Sequence, residues 1–292
     1  MNSFTIKDLE NLSGIKAHTI RIWEQRYNFL KPERTETNIR YYSNEELKML
    51  LNIALLNKYG FKISHIDKMN LKELNEKVVS LTQPEAQHEK IINSLIEQLV
   101  DLDIEGLEET LDKYIQPNGI EKTILDIIFP FLEKIGILWV TNNINPAQEH
   151  LISNIIRQKI IVGIDGIKVK KVISKTVLLF LPEDEHHELG LLFVNYLLRS
   201  RGVNTIYLGS NIPLHDVEYV VKLKKPDYIY CHLTAIGKNF KFDRFLSLMT
   251  KKFTPTPVII SGKLTNTITK KIPPQITFKT SLSAAMDFIQ EV

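Results

Sequence analysis

Thr176-Val177-Leu178-Leu179-Phe180-Leu181-Pro182-Glu183-Asp184-Glu185-His186-His187-Glu188-Leu189-Gly190 is the stretch that decides the C-terminal fold of this 292-residue chain. A short apolar run ends at a proline, and an acidic loop then leads into a helical pattern from about Leu189 to Gly202. The alternation continues downstream. Thr205–Leu208, Tyr228–Cys231 and Val258–Ser261 read as strands, and Asp216–Lys224 and Phe242–Lys251 as helices. Strands alternating with helices predict a doubly wound parallel sheet over residues 174–292. Such sheets take ligands beyond the carboxyl ends of their strands, where the 182–190 loop falls. His187 is therefore a candidate metal ligand, and Glu185 is placed to hold its other ring nitrogen. Gly190 would let a ligand approach the backbone. The same residues also read as a solvated acidic loop with two incidental histidines.

Upstream, residues 87–165 carry four apolar periodicities of helical spacing: Ile91 to Val100, Leu107 to Tyr114, Ile120 to Leu132, and a fourth opened by Pro146. They predict a four-helix bundle. Residues 1–75 predict a winged helix-turn-helix. Ile6, Leu9 and Leu12 mark one helix, and Ser13-Gly14 breaks it. Ile20, Trp23 and Tyr27 form the inner face of a second, from about Lys16 to Tyr27, stopped by Pro32. Residues 33–42 read as a hairpin, and Ser43-Asn44-Glu45-Glu46 is a capping box that starts a third helix. Residues 71–86 and 164–174 read as linkers. The whole is a multi-domain α and α/β chain.

Charge follows the same divisions. Residues 1–80 hold 13 Lys/Arg against 10 Asp/Glu, residues 81–160 hold 6 against 13, and residues 161–292 hold 18 against 11. An acidic middle between basic flanks argues against the bundle touching DNA. Cys231 is the only cysteine, which excludes a disulfide framework and fits a reducing cytoplasm. No segment nears the roughly 20 uninterrupted apolar residues of a membrane span, and the polar start reads against a signal peptide.

The outer face of the second helix presents Lys16, His18, Thr19, Arg21 and Arg26, cationic and hydrogen-bonding groups suited to the major groove. Arg40 and Tyr42 could add phosphate donors. On charge pattern alone, these are equally the solvated side chains of a small helical domain. Phe4-Thr5-Ile6, Gly14-Ile15, Thr19-Ile20-Arg21-Ile22-Trp23-Glu24, Leu30-Lys31-Pro32, Arg34-Thr35 and Arg40-Tyr41-Tyr42-Ser43 together resemble the N-terminal domain of MerR-type regulators. The resemblance implies that Lys16, His18, Thr19 and Arg21 lie near base edges or phosphates, and Arg40 and Tyr42 on the DNA backbone. Trp23 is read as core packing.

Glu185-x-His187-x-x-Gly190 resembles the Asp/Glu-x-His-x-x-Gly signature of cobalamin-binding domains, in which the histidine ligates cobalt from below. Its register picks His187 and not His186. Trp139, followed at a distance by Glu149-His150, resembles the helical cap of light-sensing, adenosylcobalamin-dependent regulators. There the Trp covers the adenosyl group and the Glu-His pair contacts it. The pattern departs in three places. Cys231-His232-Leu233 stands for Ser-x-Leu, Ser261-Gly262 for Gly-Gly, and Val140 for the histidine that commonly follows the capping Trp. The resemblance implies a Rossmann-like cobalamin site that includes Cys231, Leu233, Ser261 and Gly262. It also implies a double-stranded operator as partner, self-association as a dimer or tetramer, and no enzymatic activity. The alternative is a regulator whose sensor domain has lost cobalamin and serves as an oligomerisation or partner-binding module. A corrinoid enzyme is disfavoured, since no residues remain to build a catalytic domain.

Overall fold

The computed structural model describes residues 4–140, 144–169, 173–235, 240–267 and 272–292, and of residues 137, 139, 140 and 267 the backbone alone. The chain forms two compact units, residues 1–156 and 157–292.

The first unit is helical apart from one small hairpin. α1 (Ile6–Ser13) starts at a capping box in which Thr5 accepts from the Asp8 amide, and Gly14 ends it in the left-handed conformation. α2 (Ala17–Arg26) buries Ile20 and Trp23. Trp23 meets Phe29 edge-on at 5.9 Å, as core packing requires. β1 (Glu33–Arg34) and β2 (Arg40–Tyr41) make the antiparallel wing. Ser43 and Glu46 then close the expected capping box on α3 (Asn44–Lys58).

After the short α4 (Ile63–Ile66), residues 71–80, read above as linker, form α5 (Leu71–Ser80). Asn70 caps it through the Glu73 amide, and the Glu73 carboxylate returns to the Asn70 amide. The signal is the same as at Ser43, hidden in a polar stretch. α6 (Pro84–Asp101), α7 (Ile104–Thr123), α8 (Phe129–Val140) and α9 (Pro146–Asp165) are the four expected bundle helices. Pro117 and a left-handed Gly119 break α7 near its end, and a π turn at Ile124–Ile128 joins it to α8. Lys48 of α3 pairs with Asp101 of α6 at 2.5 Å, so the wing-bearing helices and the bundle share one compact body.

The second unit is a five-stranded, wholly parallel sheet. β3 (Ile173–Pro182), β4 (Val203–Ile212), β5 (Tyr228–His232), β6 (Val258–Ser261) and β7 (Ile276–Lys279) lie in the order β4-β3-β5-β6-β7. α10 (Leu189–Ser200), α11 (Leu214–Lys224), α12 (Phe242–Phe253) and α13 (Leu282–Glu291) complete it. β7 and α13 escaped the sequence reading, because Pro273-Pro274 beside a four-residue strand reads as loop. Phe288 of α13 nonetheless stacks on Tyr230 of β5 at 5.8 Å. One core lies between α11, α12 and the Leu178, Phe180, Ile229, Cys231 and Ile260 face of the sheet. Strand order reverses between β3 and β5, so the segments leaving these two strands open side by side, the crevice where such sheets hold ligands.

Candidate DNA interface and sensor crevice

On α2, Lys16, His18, Arg21 and Arg26 are exposed and Thr19 is half-buried, all opposite the buried Ile20 and Trp23. Helical spacing puts the hydrogen-bonding groups on the outer face of a short, firmly packed rod. Ile22 is also exposed, at 43%, and supplies an apolar contact that a thymine methyl would take. In the wing, Arg40 Nε donates to Glu24 Oε2 at 2.9 Å. Tyr42 departs from expectation. It is fully buried, and its hydroxyl donates to Glu24 Oε1, which leaves it no surface for a phosphate. Burial, then the Glu24 carboxylate, holds that phenol far above its ordinary range. Tyr42 is therefore a support. It fixes Glu24, and Glu24 fixes Arg40. Sequence reasoning missed Glu24, whose signal was only its place in the α2 motif.

In the second unit, Glu185 is fully buried at the carboxyl end of β3. Its Oε1 accepts from the His187 amide at 2.9 Å and from His187 Nδ1 at 2.6 Å. Its Oε2 accepts from the amides of Thr234 and Ala235, just after β5, at 2.8 and 3.0 Å. Burial pushes the carboxyl up, but these four donors outweigh it and hold the pKa below the usual carboxylate value. Since an ionised carboxylate only accepts, His187 carries a proton on Nδ1. The His187 side chain is about half exposed. His186 has no such clamp among the hydrogen bonds described. The neighbouring Glu188 is buried and holds Arg157 at 2.5 Å and the Tyr207 hydroxyl at 2.8 Å.

Cys231 and Leu233, expected in the cobalamin site, lie in the core and have no exposed surface. Strand alternation is the reason. Cys231 points to the α11–α12 side, while Tyr230 and His232 point to the other face, that of Ser261. There the Tyr230 hydroxyl donates to Ser261 Oγ at 2.7 Å, which leaves the Ser261 proton for His232 Nδ1 at 2.8 Å. Burial lowers the His232 pKa to about 4, so the ring is neutral. Its Nε2 would stand 2.4 Å from a Cβ built on Gly190, which puts the imidazole directly over that glycine. Gly190 thus admits a ring of the chain's own, a contact the sequence did not disclose. At Ser261-Gly262 it is Gly262 that makes a close backbone approach. Its φ is 101°, and a Cβ there would fall 2.3 Å from the Leu233 carbonyl oxygen.

In the helical unit, Glu149 is half-buried and accepts from Ser153 Oγ at 2.9 Å, and the exposed His150 sits 3.4 Å from its other oxygen. The side chains of Trp139 and Val140 lie outside the described residues. Among the described residues, no helix is long and apolar enough to cross a membrane.

Two family models match this chain. Residues 4–72 match the MerR HTH family regulatory protein model, and residues 91–162, the four-helix bundle, match the B12 binding domain model. The HTH-type transcriptional repressor CarH of Myxococcus xanthus is 28% identical over 233 residues, covering 78% of this chain and 77% of that protein. The repressor CarA of the same organism is 26% identical over 260 residues, covering 88% and 85%. Among solved structures, the Methanosarcina barkeri monomethylamine corrinoid protein superposes with a TM-score of 0.55 at 15% identity, over 70% of this chain and all of that one, a likeness of fold.

Proposed function

We propose that this chain, homologous to CarH and CarA and built from a MerR helix-turn-helix and a B12-binding domain, is a DNA-binding transcription regulator that senses a cobalamin. Its sensor crevice is of the kind that takes a cobalt ion from below. The observation that carries this reading is the Glu185 clamp, which holds Nδ1 of the His187 imidazole at the switch point of the sheet. Among the described residues, no group of three His, Cys, Asp or Glu side chains is placed to hold a metal ion. A metal at His187 would bring its remaining ligands with it, as a corrin does.

Bound adenosylcobalamin would supply a cobalt–carbon bond that light breaks. The chain's own residues would do the rest. His187 would ligate the cobalt, and Lys16, His18, Thr19, Arg21 and Arg40 would engage a double-stranded operator. In this reading the chain is a self-associating cytoplasmic repressor with no catalytic residue, released from DNA when the upper ligand is lost. A second reading has one observation in its favour. His232 already fills the space over Gly190, as it would in a sensor domain that has given up cobalamin and serves only for oligomerisation or partner binding.

Protein mixed with adenosylcobalamin in the dark and then gel-filtered separates the two readings. A co-eluting visible band that His187→Ala abolishes and His186→Ala leaves intact, together with operator binding lost on illumination, is the expected result. A colourless protein, or equal retention by both variants, would overturn it.

A further inference from the structure

The sheet is wholly parallel, so each chain segment that returns from a helix to a strand lands at the same end, opposite the crevice. These returns are short. Arg201-Gly202 joins α10 to β4, Lys225-Pro226-Asp227 joins α11 to β5, and residues 254–257 join α12 to β6. The last helical turns therefore stand beside the strand starts, and they are basic: Arg199 on α10, Lys222 and Lys224 on α11, Lys251 and Lys252 on α12. At the crevice end the charges are mixed, with Glu183, Asp184, Glu188 and Asp216 as well as Lys241 and Arg244. A cation in the last turn of a helix offsets its dipole, which explains one per helix. Two observations go further. Lys225 lies past the end of α11 with φ 47°, in the left-handed region that favours glycine, and a lysine stands there all the same. The acids bonded here also do not take up the whole row. Glu218 accepts from Lys222 at 2.7 Å and from Lys252, and Asp227 accepts from Lys175 at 3.0 Å and from the Thr176 amide at 2.8 Å. Arg199, Lys224, Lys225 and Lys251 are exposed and stand outside these pairs.

From this row we infer that the amino-terminal end of the sheet is a second contact for double-stranded DNA, one that grips phosphates and reads no bases. Strands β4, β3, β5 and β6 lie side by side, so the row spans three strand spacings, roughly 15 Å. That matches the scale on which the two phosphate backbones face each other across a duplex groove, about 12 Å for the major groove. The inference rests on the DNA-binding reading above for its partner. Once the helix-turn-helix is seated, the row is tethered to the same duplex, and at that effective concentration a weak ionic contact counts. The basic balance of residues 161–292, 18 Lys/Arg against 11 Asp/Glu, then has a use that a crevice for a small ligand does not give it.

The test titrates full-length protein, and a variant combining Lys224→Gln, Lys225→Gln and Lys251→Gln, with a long mixed-sequence duplex over a series of salt concentrations. The slope of log K against log salt should fall by about 2 to 3 in the glutamine variant, since each lost phosphate contact is worth about 0.9. Arginine at the same three positions should keep the parent slope. An unchanged slope with glutamine, or a parent that binds no duplex even at low salt, would overturn the inference. A second variant, Arg21→Ala with Arg40→Ala, tells this inference from the reading it rests on. If that pair abolishes duplex binding while the glutamines change nothing, the helix-turn-helix reading stands and the row is only a solvated surface. If the pair changes nothing while the glutamines lower the slope, the row is the DNA contact and the helix-turn-helix reading fails. Phosphatidylserine vesicles supply the other anionic surface. Vesicle binding that the glutamines abolish, with duplex binding untouched, would make this end of the sheet a membrane contact and overturn the inference.

Discussion

Arg40 keeps a quarter of its side chain exposed while Glu24 holds its Nε, so its guanidinium is fixed in place. Replacing Arg40 with Ala should weaken binding to every sequence alike and lower the salt slope by about 1, as for one lost phosphate contact. An unchanged slope with altered preference at one base pair would show that Arg40 reads a base edge instead. The exposure of the α2 cations was legible in the sequence because it follows from helical spacing. Tyr42 was misread for a related reason. Two adjacent tyrosines in a strand face opposite ways, and composition does not say which faces in. In the crevice, the Glu185–His187 pair was legible because the two residues are neighbours in the chain. Glu185's other partners, and the meeting of His232, Ser261 and Gly190, join segments dozens of residues apart, which no local pattern encodes.

At the scale of elements, every strand and helix with strong periodicity and a clear start signal was legible. The failures are the weakly marked ones. α5 is capped by Asn70 inside a polar run, and β7 is short and follows two prolines. Their stability comes from neighbours the sequence does not name, such as the sheet edge that β6 offers to β7. Gly262, where β6 ends, shows how tightly such joints are made. A methyl there would strike the Leu233 carbonyl, and the left-handed backbone already disfavours one. Gly262→Ala should therefore destabilise the second unit by roughly 2 kcal/mol or more, read from urea unfolding. Loss of under about 0.5 kcal/mol would mean that the β5 exit relaxes freely.

Across the whole molecule, two compact units make a single unfolding midpoint an unsafe expectation. They should also respond differently to acid. His232 is held at about 4 against an ordinary value of 6.5, so between those limits the unfolded chain takes up a proton that the folded one refuses. Stability of the second unit should fall as pH drops from 6.5 toward 4, by roughly 1 kcal/mol per unit once inside that window. Glu185, held low, loses its contribution only as pH falls through its own depressed pKa. Hydrogen exchange of β5 and β6 amides at pH 7 and pH 5 measures the effect, and His232→Gln should flatten it. A pH-independent second unit would show that the His232 ring takes up a proton without leaving its place.

Cys231 sits with no exposed surface in the middle of the sheet, its thiol pushed well above the ordinary value by burial. It is also the only sulfhydryl in the chain. The protein thus carries a natural stopwatch. An alkylating reagent can reach that sulfur only during the moments when β5 has come apart, so the labelling rate counts those openings one molecule at a time. A tightly held ligand in the neighbouring crevice should slow the count in proportion to its occupancy. Labelling as fast as in denatured protein would mean that the sheet does not stay shut.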